Sequence, residues 1–235
     1  MIKLYDLAGA DESQRWSPYC WRAKLALAHK GLDFVAIPWR YHQKALISPS
    51  GQNTVPVMVD GDRWIGDSWR IALHLDAAFP DRPGLFGPRS GADPSHALLM
   101  KNWTEQHLHP LLRQVTLLDM FHRLHSDDKA YFRSSRESAF GMTLEDISRN
   151  AKARLEQFRQ ELAPLRKVLE SQPFLGGEGA TFADYIVLAM LQWVEIGCQV
   201  DPLDLQDSLV PWRHALAPVL SRAQRGVGVP ESGGA

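Results

Sequence analysis

The amino-acid sequence predicts an α/β domain followed by an all-helical domain. Strand and helix patterns alternate over residues 1–82, residues 83–93 are rich in Pro and Gly as in a linker, and residues 94–225 show only helical periodicity. A chain of 235 residues, 45% of them hydrophobic, can bury the cores of two small domains. The glycine-rich residues 226–235 are expected to form a disordered tail.

The first domain opens with a strand and a helix. Apolar residues alternate along Ile2–Leu7 as in a strand, and a polar loop over 9–15 follows. Ser17 before Pro18 is a strong helix-start signal, because Ser caps free N–H groups and Pro at the first helical position has no N–H to leave unpaired. The helix is expected to end at Gly31, which takes the left-handed position after its last turn.

Three more strands and a second helix are expected in this domain. Residues 33–38 read as a strand, whereas residues 39–49 have no clean period and form a loop or an irregular short helix. Strands over 54–59 and 62–65 are expected to form a hairpin, since an Asp-Gly turn joins them. The order so far is β-α-β-irregular-β-β, and a helix follows it.

Two positions near this hairpin carry sequence signals for a specific local geometry. Val55-Pro56 is a candidate cis peptide bond, because a proline near the start of a strand requires an edge position or a special backbone geometry. Ser68 is the expected N-cap of the next helix, which Pro80 would stop.

The second domain reads as a helical bundle. Apolar residues recur at helical spacing over 99–118 and again over 147–169, which predicts two long helices. The stretch 119–142 between them is charged and aromatic.

The end of the second domain carries a central buried helix. Thr181 and Asp184 have the spacing of a capping box, and residues 185–194 are apolar nearly all round. A last helix is expected over about 209–222.

The charge and composition of the chain limit the kinds of partner that it can bind. With 26 Lys and Arg against 27 Asp and Glu, the formal net charge is −1, so no overall field would hold nucleic acid or an anionic membrane surface. The start of the chain has no apolar signal region, and no window resembles a membrane span, so a cytoplasmic location is expected. Cys20 and Cys198 are the only cysteines, and they lack zinc-site spacing.

Four motifs resemble those of the cytosolic glutathione transferases, in the order in which that family has them. They are Ser17-Pro18-Tyr19-Cys20, Thr54-Val55-Pro56-Val57, Asp67-Ser68 and Ala180-Thr181-Phe182-Ala183-Asp184. The resemblance implies a thioredoxin-like N-terminal domain with a four-stranded mixed sheet, an all-α C-terminal substrate domain and a homodimer. It also implies glutathione as co-substrate.

Two longer stretches resemble the bacterial β-etherases and the fungal etherase-like proteins of this family. One is Ser17-Pro18-Tyr19-Cys20-Trp21-Arg22 together with residues 26–31, and the other runs over 128–137 and on to 141–145. The resemblance implies cleavage of β-aryl ethers as a specific activity.

The motifs imply a glutathione site. Ser17 would hydrogen-bond the sulfur, while the backbone of Val55, exposed because Pro56 bends the chain, would pair with the cysteinyl unit. Ser68 at its helix N-terminus would bind the γ-glutamyl carboxylate, and Asp67 would face the γ-glutamyl amine. Helix capping alone is the alternative for Ser17, Asp67 and Ser68.

The glycyl carboxylate of glutathione needs a cation or a donor from the irregular segment. Arg40, His42 and Lys44 are candidates, with Gln52 nearby. Spacing does not choose among them.

The resemblance also implies a hydrophobic, aromatic electrophile in an apolar cleft between the domains. Candidate lining residues are Trp16, Met100, Trp103, His107 and Tyr131, with Phe121 and Phe132 as further aromatic residues. Core packing is the alternative for each of them, since an aromatic stripe at helical spacing is also typical of a core.

No metal is expected. His122 and His125 are one helical turn apart and could chelate an ion, yet the sequence offers no evident third ligand.

Three functions stay open at this point. The leading hypothesis is a glutathione S-transferase whose thiolate, stabilised by Ser17, attacks an electrophilic carbon; Ser13 is the residue that could replace Ser17. A thiol reductase or peroxidase using Cys20 is the second, although the motif lacks the first cysteine of the glutaredoxin C-P-Y-C pattern. A non-catalytic carrier of hydrophobic ligands is the third.

Overall fold

The structure is a computed structural model that describes residues 1–226. Most of the predicted tail over 226–235 therefore lies outside the described residues. Among the helices of the described part, none is both long enough and apolar enough to cross a membrane.

The first domain has four strands and two helices, as the sequence predicts. In chain order they are β1 (Ile2–Leu7), α1 (Pro18–His29), β2 (Phe34–Trp39), a 3₁₀ segment (Tyr41–Ser50), β3 (Val57–Asp60), β4 (Arg63–Gly66) and α2 (Ser68–Ala78). The sheet order is β2-β1-β3-β4, with β1 parallel to β2 and antiparallel to β3. The predicted four-stranded mixed sheet is confirmed.

Helix α1 has both of the predicted ends. The Ser17 side chain accepts the Cys20 backbone N–H at 3.4 Å, and Pro18 occupies the first helical position. Gly31 follows the helix at φ +63°, a conformation that glycine adopts without steric cost. The Val55-Pro56 peptide bond is cis, as predicted.

The prediction for the N-cap of α2 was wrong by one residue. Asp67 is the cap, and its carboxylate accepts the N–H groups of Trp69 and Arg70 at 3.0 and 3.1 Å. A carboxylate reaches these donors and complements the positive helix end better than a hydroxyl does. Ser68 is instead the first helical residue, and it is buried.

The second domain contains nine helices within the described residues. They are α3 (Ser95–Trp103), α4 (His109–Arg123), α5 (Ser126–Phe140), α6 (Leu144–Ser148), α7 (Ala151–Glu161), α8 (Ala163–Leu169), α9 (Phe182–Cys198), α10 (Val210–Ala215) and α11 (Ala217–Arg225), with a π-turn at Thr104–Leu108 between the first two.

Three predicted helices are divided in the structure. The π-turn separates α3 from α4, so the stripe over 99–118 is not one straight helix. The stripe over 147–169 breaks at Asn150, whose backbone is not helical, and again before Pro164, which cannot donate an N–H inside a helix. Pro218 has the same effect on the last predicted helix.

Helix α9 forms the centre of the molecule. It is buried over most of its length and packs against α1 and α4. The predicted capping box is present, since Thr181 and Asp184 satisfy each other's backbone N–H groups. His29 of α1 joins the two domains, because its ring contacts the Tyr185 hydroxyl at 2.6 Å and the Gly84 carbonyl at 2.8 Å.

Candidate active site

A cavity of about 420 Å³ opens between the start of α1 and the helices α4, α5 and α9. Apolar and aromatic side chains dominate its wall, as is usual for small-molecule sites. The residues that line it are Leu7, Trp16, Ser17, Pro18, Tyr19, Trp39, Tyr41, Thr54, Val55, His109, Arg113, Leu117, Met120, Phe132, Ser135, Arg136, Ala139 and Trp193.

A second, more polar groove of about 320 Å³ adjoins this cavity. Its lining residues are Tyr19, Gln52, Thr54, Val55, Pro56, Asp67, Lys101 and Glu105. Tyr19, Thr54 and Val55 line both spaces, so the groove and the cavity meet at the cis peptide bond.

Ser17 lies at the junction of helix and cavity. Its side chain accepts the Cys20 N–H and is 6% exposed, and this exposed part faces the cavity. A hydroxyl that accepts one bond keeps its own proton to donate to another group. Ser13 lies elsewhere: its hydroxyl is bonded to Asp11 at 2.8 Å, and it lines a different pocket beside Arg123.

The predicted glutathione residues of the first domain largely come together. Gln52, Val55, Pro56 and Asp67 line the groove. Gly66 makes room for Gln52, since a Cβ there would lie 2.2 Å from the glutamine Cγ.

Ser68 borders these residues without lining the groove itself. Its hydroxyl oxygen is buried and has no hydrogen-bond partner in the described part of the chain. A buried hydroxyl of this kind is available to a ligand.

The candidates for the glycyl carboxylate do not line either space. Arg40 donates to the carbonyls of Gly9 and Ala10 and pairs with Glu12, so it holds the loop after β1. The other two are engaged with the second domain: His42 contacts Asp128 at 2.8 Å, and Lys44 lies over the Tyr131 ring.

The predicted electrophile residues are mostly placed elsewhere. Trp16 lines the cavity, but Met100, Trp103, His107 and Tyr131 do not. Met100 and Trp103 lie on α3, before the π-turn at Thr104–Leu108, and His107 lies within it, whereas the lining residues of this region lie on α4, after the turn. Tyr131 instead packs against Tyr41, with the two ring planes tilted by 44° and 42% of the Tyr131 surface exposed.

Several lining residues are not among the predicted site residues. Tyr19 was part of the quoted motif, and burial raises the pKa of its hydroxyl, so the group stays protonated and able to donate. His109, Arg113 and Arg136 lie on helices whose facing could be known only from the packed structure.

His109 is neutral at physiological pH. Burial, and after it the charges of Arg113 and Arg22, lower the pKa of this imidazole to about 4. Its ring packs against Trp193, with 4.9 Å between the ring centres.

Cys20 is a structural thiol. It is fully buried, and burial, followed by the charge of Asp6, raises its pKa far above the ordinary range. A reactive cysteine needs access and a lowered pKa, and this one has neither.

Buried charges hold the loop that precedes α1. Asp6 at the end of β1 lies 3.0 Å from the Lys24 ammonium and 3.9 Å from the Arg15 guanidinium, and all three are buried. The Trp21 indole donates to the Arg15 carbonyl at 2.7 Å. The position of Ser17 therefore depends on contacts with both the sheet and its own helix.

A possible metal-binding group lies outside the cavity. His42, His125 and Asp127 each place a donor atom within 4.8 Å of the others. His122, considered from the sequence, is not part of this group. All three side chains lie at the protein surface and none lines the cavity or the groove.

A sheet of this topology with a cis-proline, joined to an all-helical domain, defines the glutathione transferase fold. Family models agree: one described as "Glutathione S-transferase, N-terminal domain" matches residues 16–78, and one described as "Glutathione S-transferase, C-terminal domain" matches residues 97–207. The chain belongs to the glutathione S-transferase family.

The sequence relatives match this chain over different lengths. Glutathione S-transferase Z1 of Arabidopsis thaliana is 40% identical over 76 residues, which cover 29% of this chain and 34% of that protein. The match thus spans about a third of that relative's length. The glutathione S-transferase-like protein ustS of Aspergillus flavus is 25% identical over 215 residues, covering 77% of this chain and 75% of that one.

Solved structures are similar over nearly the whole chain. A glutathione S-transferase of Ceriporiopsis subvermispora, solved in complex with glutathione, has a TM-score of 0.79 at 25% identity, covering 98% of this chain and 99% of that one. The glutathione transferase GSTFuA3 of Phanerochaete chrysosporium has a TM-score of 0.75 at 20% identity, covering 98% of each chain.

Proposed function

We propose that this protein is a glutathione S-transferase in which Ser17 activates the glutathione thiol for attack on a hydrophobic aromatic electrophile. One observation carries the proposal. The Ser17 hydroxyl, at the N-terminus of α1, faces an apolar cavity that opens directly into the groove beside the cis Val55-Pro56 bond. The Ceriporiopsis relative, solved with glutathione, supports glutathione as the co-substrate.

The groove offers matching partners for the tripeptide. The Val55 backbone would pair with the cysteinyl unit as an added strand. The Ser68 hydroxyl, buried and without a partner among the described residues, and the N-terminus of α2 suit the γ-glutamyl carboxylate, while Asp67 suits the amine. Gln52 and Lys101 are further side chains of the groove that could donate to the glycyl carboxylate.

Thiol activation requires a moderate free energy. A free thiol has a pKa of about 8.5, so only a few per cent is thiolate at neutral pH. Lowering that pKa by about two units takes roughly 2.7 kcal/mol. One hydrogen bond from Ser17 to the charged sulfur and the helix dipole together supply about that amount.

The chemistry is a displacement at carbon. The thiolate sulfur forms a bond to the electrophilic carbon while the bond from that carbon to the leaving group breaks. For the β-etherase activity that the motifs suggest, the substrate is an α-keto aryl ether: the β-carbon–oxygen bond breaks, and a phenolate leaves. Positioning and thiolate activation account for the acceleration.

The substitution Ser17→Ala tests this assignment, with Ser13→Ala as the matched control. We expect kcat/KM for a chlorodinitrobenzene to fall about 10-fold in Ser17→Ala, the equivalent of about 1.4 kcal/mol, because the hydrogen bond is lost and the helix dipole remains. The thermal shift with glutathione should persist, because the groove is intact. Ultraviolet titration of the bound thiolate should show a raised pKa. Full activity in Ser17→Ala, or its loss in Ser13→Ala, would contradict the assignment.

Two further assays address the finer claims. An α-keto β-aryl ether tested beside the aryl halide decides whether ether cleavage is the specific activity. Absence of any turnover, with tight binding of hydrophobic ligands, would instead indicate a carrier. Because Cys20 is buried, a thiol reductase or peroxidase acting through it is disfavoured.

We also propose a homodimer, on the basis of the family's organisation. Light scattering after size exclusion should give twice the 26.5 kDa mass of the chain. A monomer mass would contradict this proposal.

A further inference from the structure

Two arginine side chains that have no acidic partner among residues 1–226 face the cavity. Arg113 extends from α4 and Arg136 from α5, and both are partly buried. The Arg113 guanidinium lies 4.6 Å from the centre of the Phe140 ring, and that of Arg136 lies 4.5 Å from the centre of the Phe132 ring. Stacking on an aromatic face fixes a guanidinium plane while leaving N–H groups at its edge for another acceptor.

Two other arginines, one close to the cavity and one on the same helix as Arg136, differ in having carboxylate partners. In the described part of the chain neither Arg113 nor Arg136 forms an ion pair, and the cavity lining includes no Asp or Glu. By contrast, Arg22 pairs with Glu105, and Arg133, which lies on the same helix as Arg136, pairs with Glu137 and Glu145. The second contrast matters most, because Arg133 also stacks on an aromatic ring, that of Phe121.

Placing these two charges together in a mostly apolar cavity is unfavourable. Burial first, and then the charge of Arg136, lower the pKa of Arg113, although a guanidinium still stays protonated at neutral pH. The neighbouring His109 is neutral, so it carries no charge that could compensate the two guanidinium groups. A bound anion would remove the unfavourable term through charge-assisted hydrogen bonds.

We propose that Arg113 and Arg136 bind a carboxylate on the electrophile, so that the preferred substrates are acidic aromatic compounds. This inference rests on the proposed function and adds the substrate class to it. Both arginines line the cavity that Ser17 faces, and neither lines the groove assigned to the glutathione backbone. The anion they accept therefore belongs to the second substrate.

A matched pair of electrophiles tests the proposal: a chlorodinitrobenzene and its carboxylate analogue, a chlorodinitrobenzoate. At saturating glutathione, we expect wild type to prefer the benzoate in kcat/KM. Arg113→Met and Arg136→Met should each lower the ratio of benzoate to benzene activity about 10-fold, mainly through KM for the benzoate. Methionine keeps most of the packing against Phe140 and Phe132 without the charge.

Three controls test whether the change in the activity ratio comes from the charges of Arg113 and Arg136. Arg133→Met removes a stacked, partly exposed arginine that has its own carboxylates, and it should leave the ratio unchanged. Arg136→Lys keeps the charge and should retain part of the preference. Thermal melting should confirm that each variant is folded.

Several outcomes would overturn the inference. The ratio could be unchanged in both methionine variants, or Arg133→Met could lower it equally. The methionine variants could instead raise KM for glutathione with both electrophiles alike, which would assign the arginines to the glycyl carboxylate.

A binding measurement separates this inference from the proposed function. If wild type converts neither electrophile, the proposed function fails on its own. Calorimetric titration with the two finished conjugates, dinitrophenyl glutathione with and without the carboxylate, then decides the inference. Tighter binding of the carboxylate form, lost in Arg113→Met, supports it; equal binding refutes it.

Discussion

Replacing Asp184 tests how the centre of the helical domain is held. The carboxylate is fully buried, and both of its oxygens are used. One accepts the Leu175 N–H at 2.7 Å and the Trp212 indole N–H at 2.9 Å; the other accepts the backbone N–H groups of Thr181 at 2.9 Å and Gly176 at 3.2 Å. One side chain therefore closes a loop, caps α9 and anchors α10.

The expected effect of Asp184→Asn follows from this count. An amide keeps one oxygen, so two of the four N–H groups lose their acceptor and face an NH₂ group instead. Each buried donor left unpaired costs about 1–3 kcal/mol, so unfolding should become easier by roughly 4 kcal/mol. For a chain of this size, that loss corresponds to a melting temperature lower by about 8–16 °C.

Urea unfolding at pH 7, followed by both circular dichroism and tryptophan fluorescence, measures the loss. Asp204→Asn is the matched control, because Asp204 is 66% exposed and its pairing with Arg159 should contribute no more than about 1 kcal/mol. Trp212→Phe completes a double-mutant cycle with Asp184→Asn, and we expect a coupling of about 1.5–3 kcal/mol. A loss below 1 kcal/mol in Asp184→Asn, or a coupling of zero, would refute the reasoning.

Three other changes have definite expectations. His109 binds its proton more weakly in the folded state, with a pKa of about 4 against about 6.5 unfolded, so its contribution to stability is present above pH 6.5 and is lost as the pH falls towards 4. In urea titrations across this pH range, the free energy of unfolding of His109→Phe should fall less with pH than that of wild type, by at most about 3 kcal/mol. An unchanged pH dependence would contradict this expectation. Lys24→Met leaves the buried Asp6 carboxylate with only the more distant Arg15, so the free energy of unfolding in urea should fall by about 3–5 kcal/mol. An unchanged free energy of unfolding would mean that the Asp6–Lys24 pair is not shielded from water. Cys20→Ala should keep wild-type transferase kinetics despite a loss of stability, since the thiol is inaccessible, and abolished turnover would disprove that view.

The parts of the fold that follow from local signals could be predicted from the sequence. Ser17 and Pro18 begin a helix because the cap and the missing N–H act within one turn of chain. The hairpin and the capping box at Asp184 are equally local. The N-cap of α2 was misplaced by one residue because Asp67 and Ser68 both have capping side chains, and only the backbone geometry decides between them.

The breaks in the long helices could not be predicted from periodicity alone. Apolar residues keep their spacing across the π-turn, and a repeating stripe does not show where one extra residue widens a turn. Helix α5 was missed for a different reason: its residues are mostly polar, and only Asp128 and Phe132 are buried. Such a helix depends on end signals and on packing against its neighbours rather than on a strong apolar stripe.

The candidate site also has one side that the sequence predicts and one that it does not. The side proposed to bind glutathione comes from short segments of the first domain whose motifs can be recognised in the sequence, as Val55 and Asp67 illustrate. The side proposed to bind the electrophile includes α4 and α5, where the facing of Arg113 and Arg136 depends on how the helices pack around α9. Arg133 and Arg136 are three residues apart on one helix, yet Arg133 is paired with two carboxylates, whereas Arg136 faces a cavity whose lining within residues 1–226 includes no Asp or Glu. If Arg136 sets the substrate preference as proposed, only the packed structure distinguishes its function from that of Arg133, and comparing Arg136→Met with Arg133→Met is the most direct way to measure it.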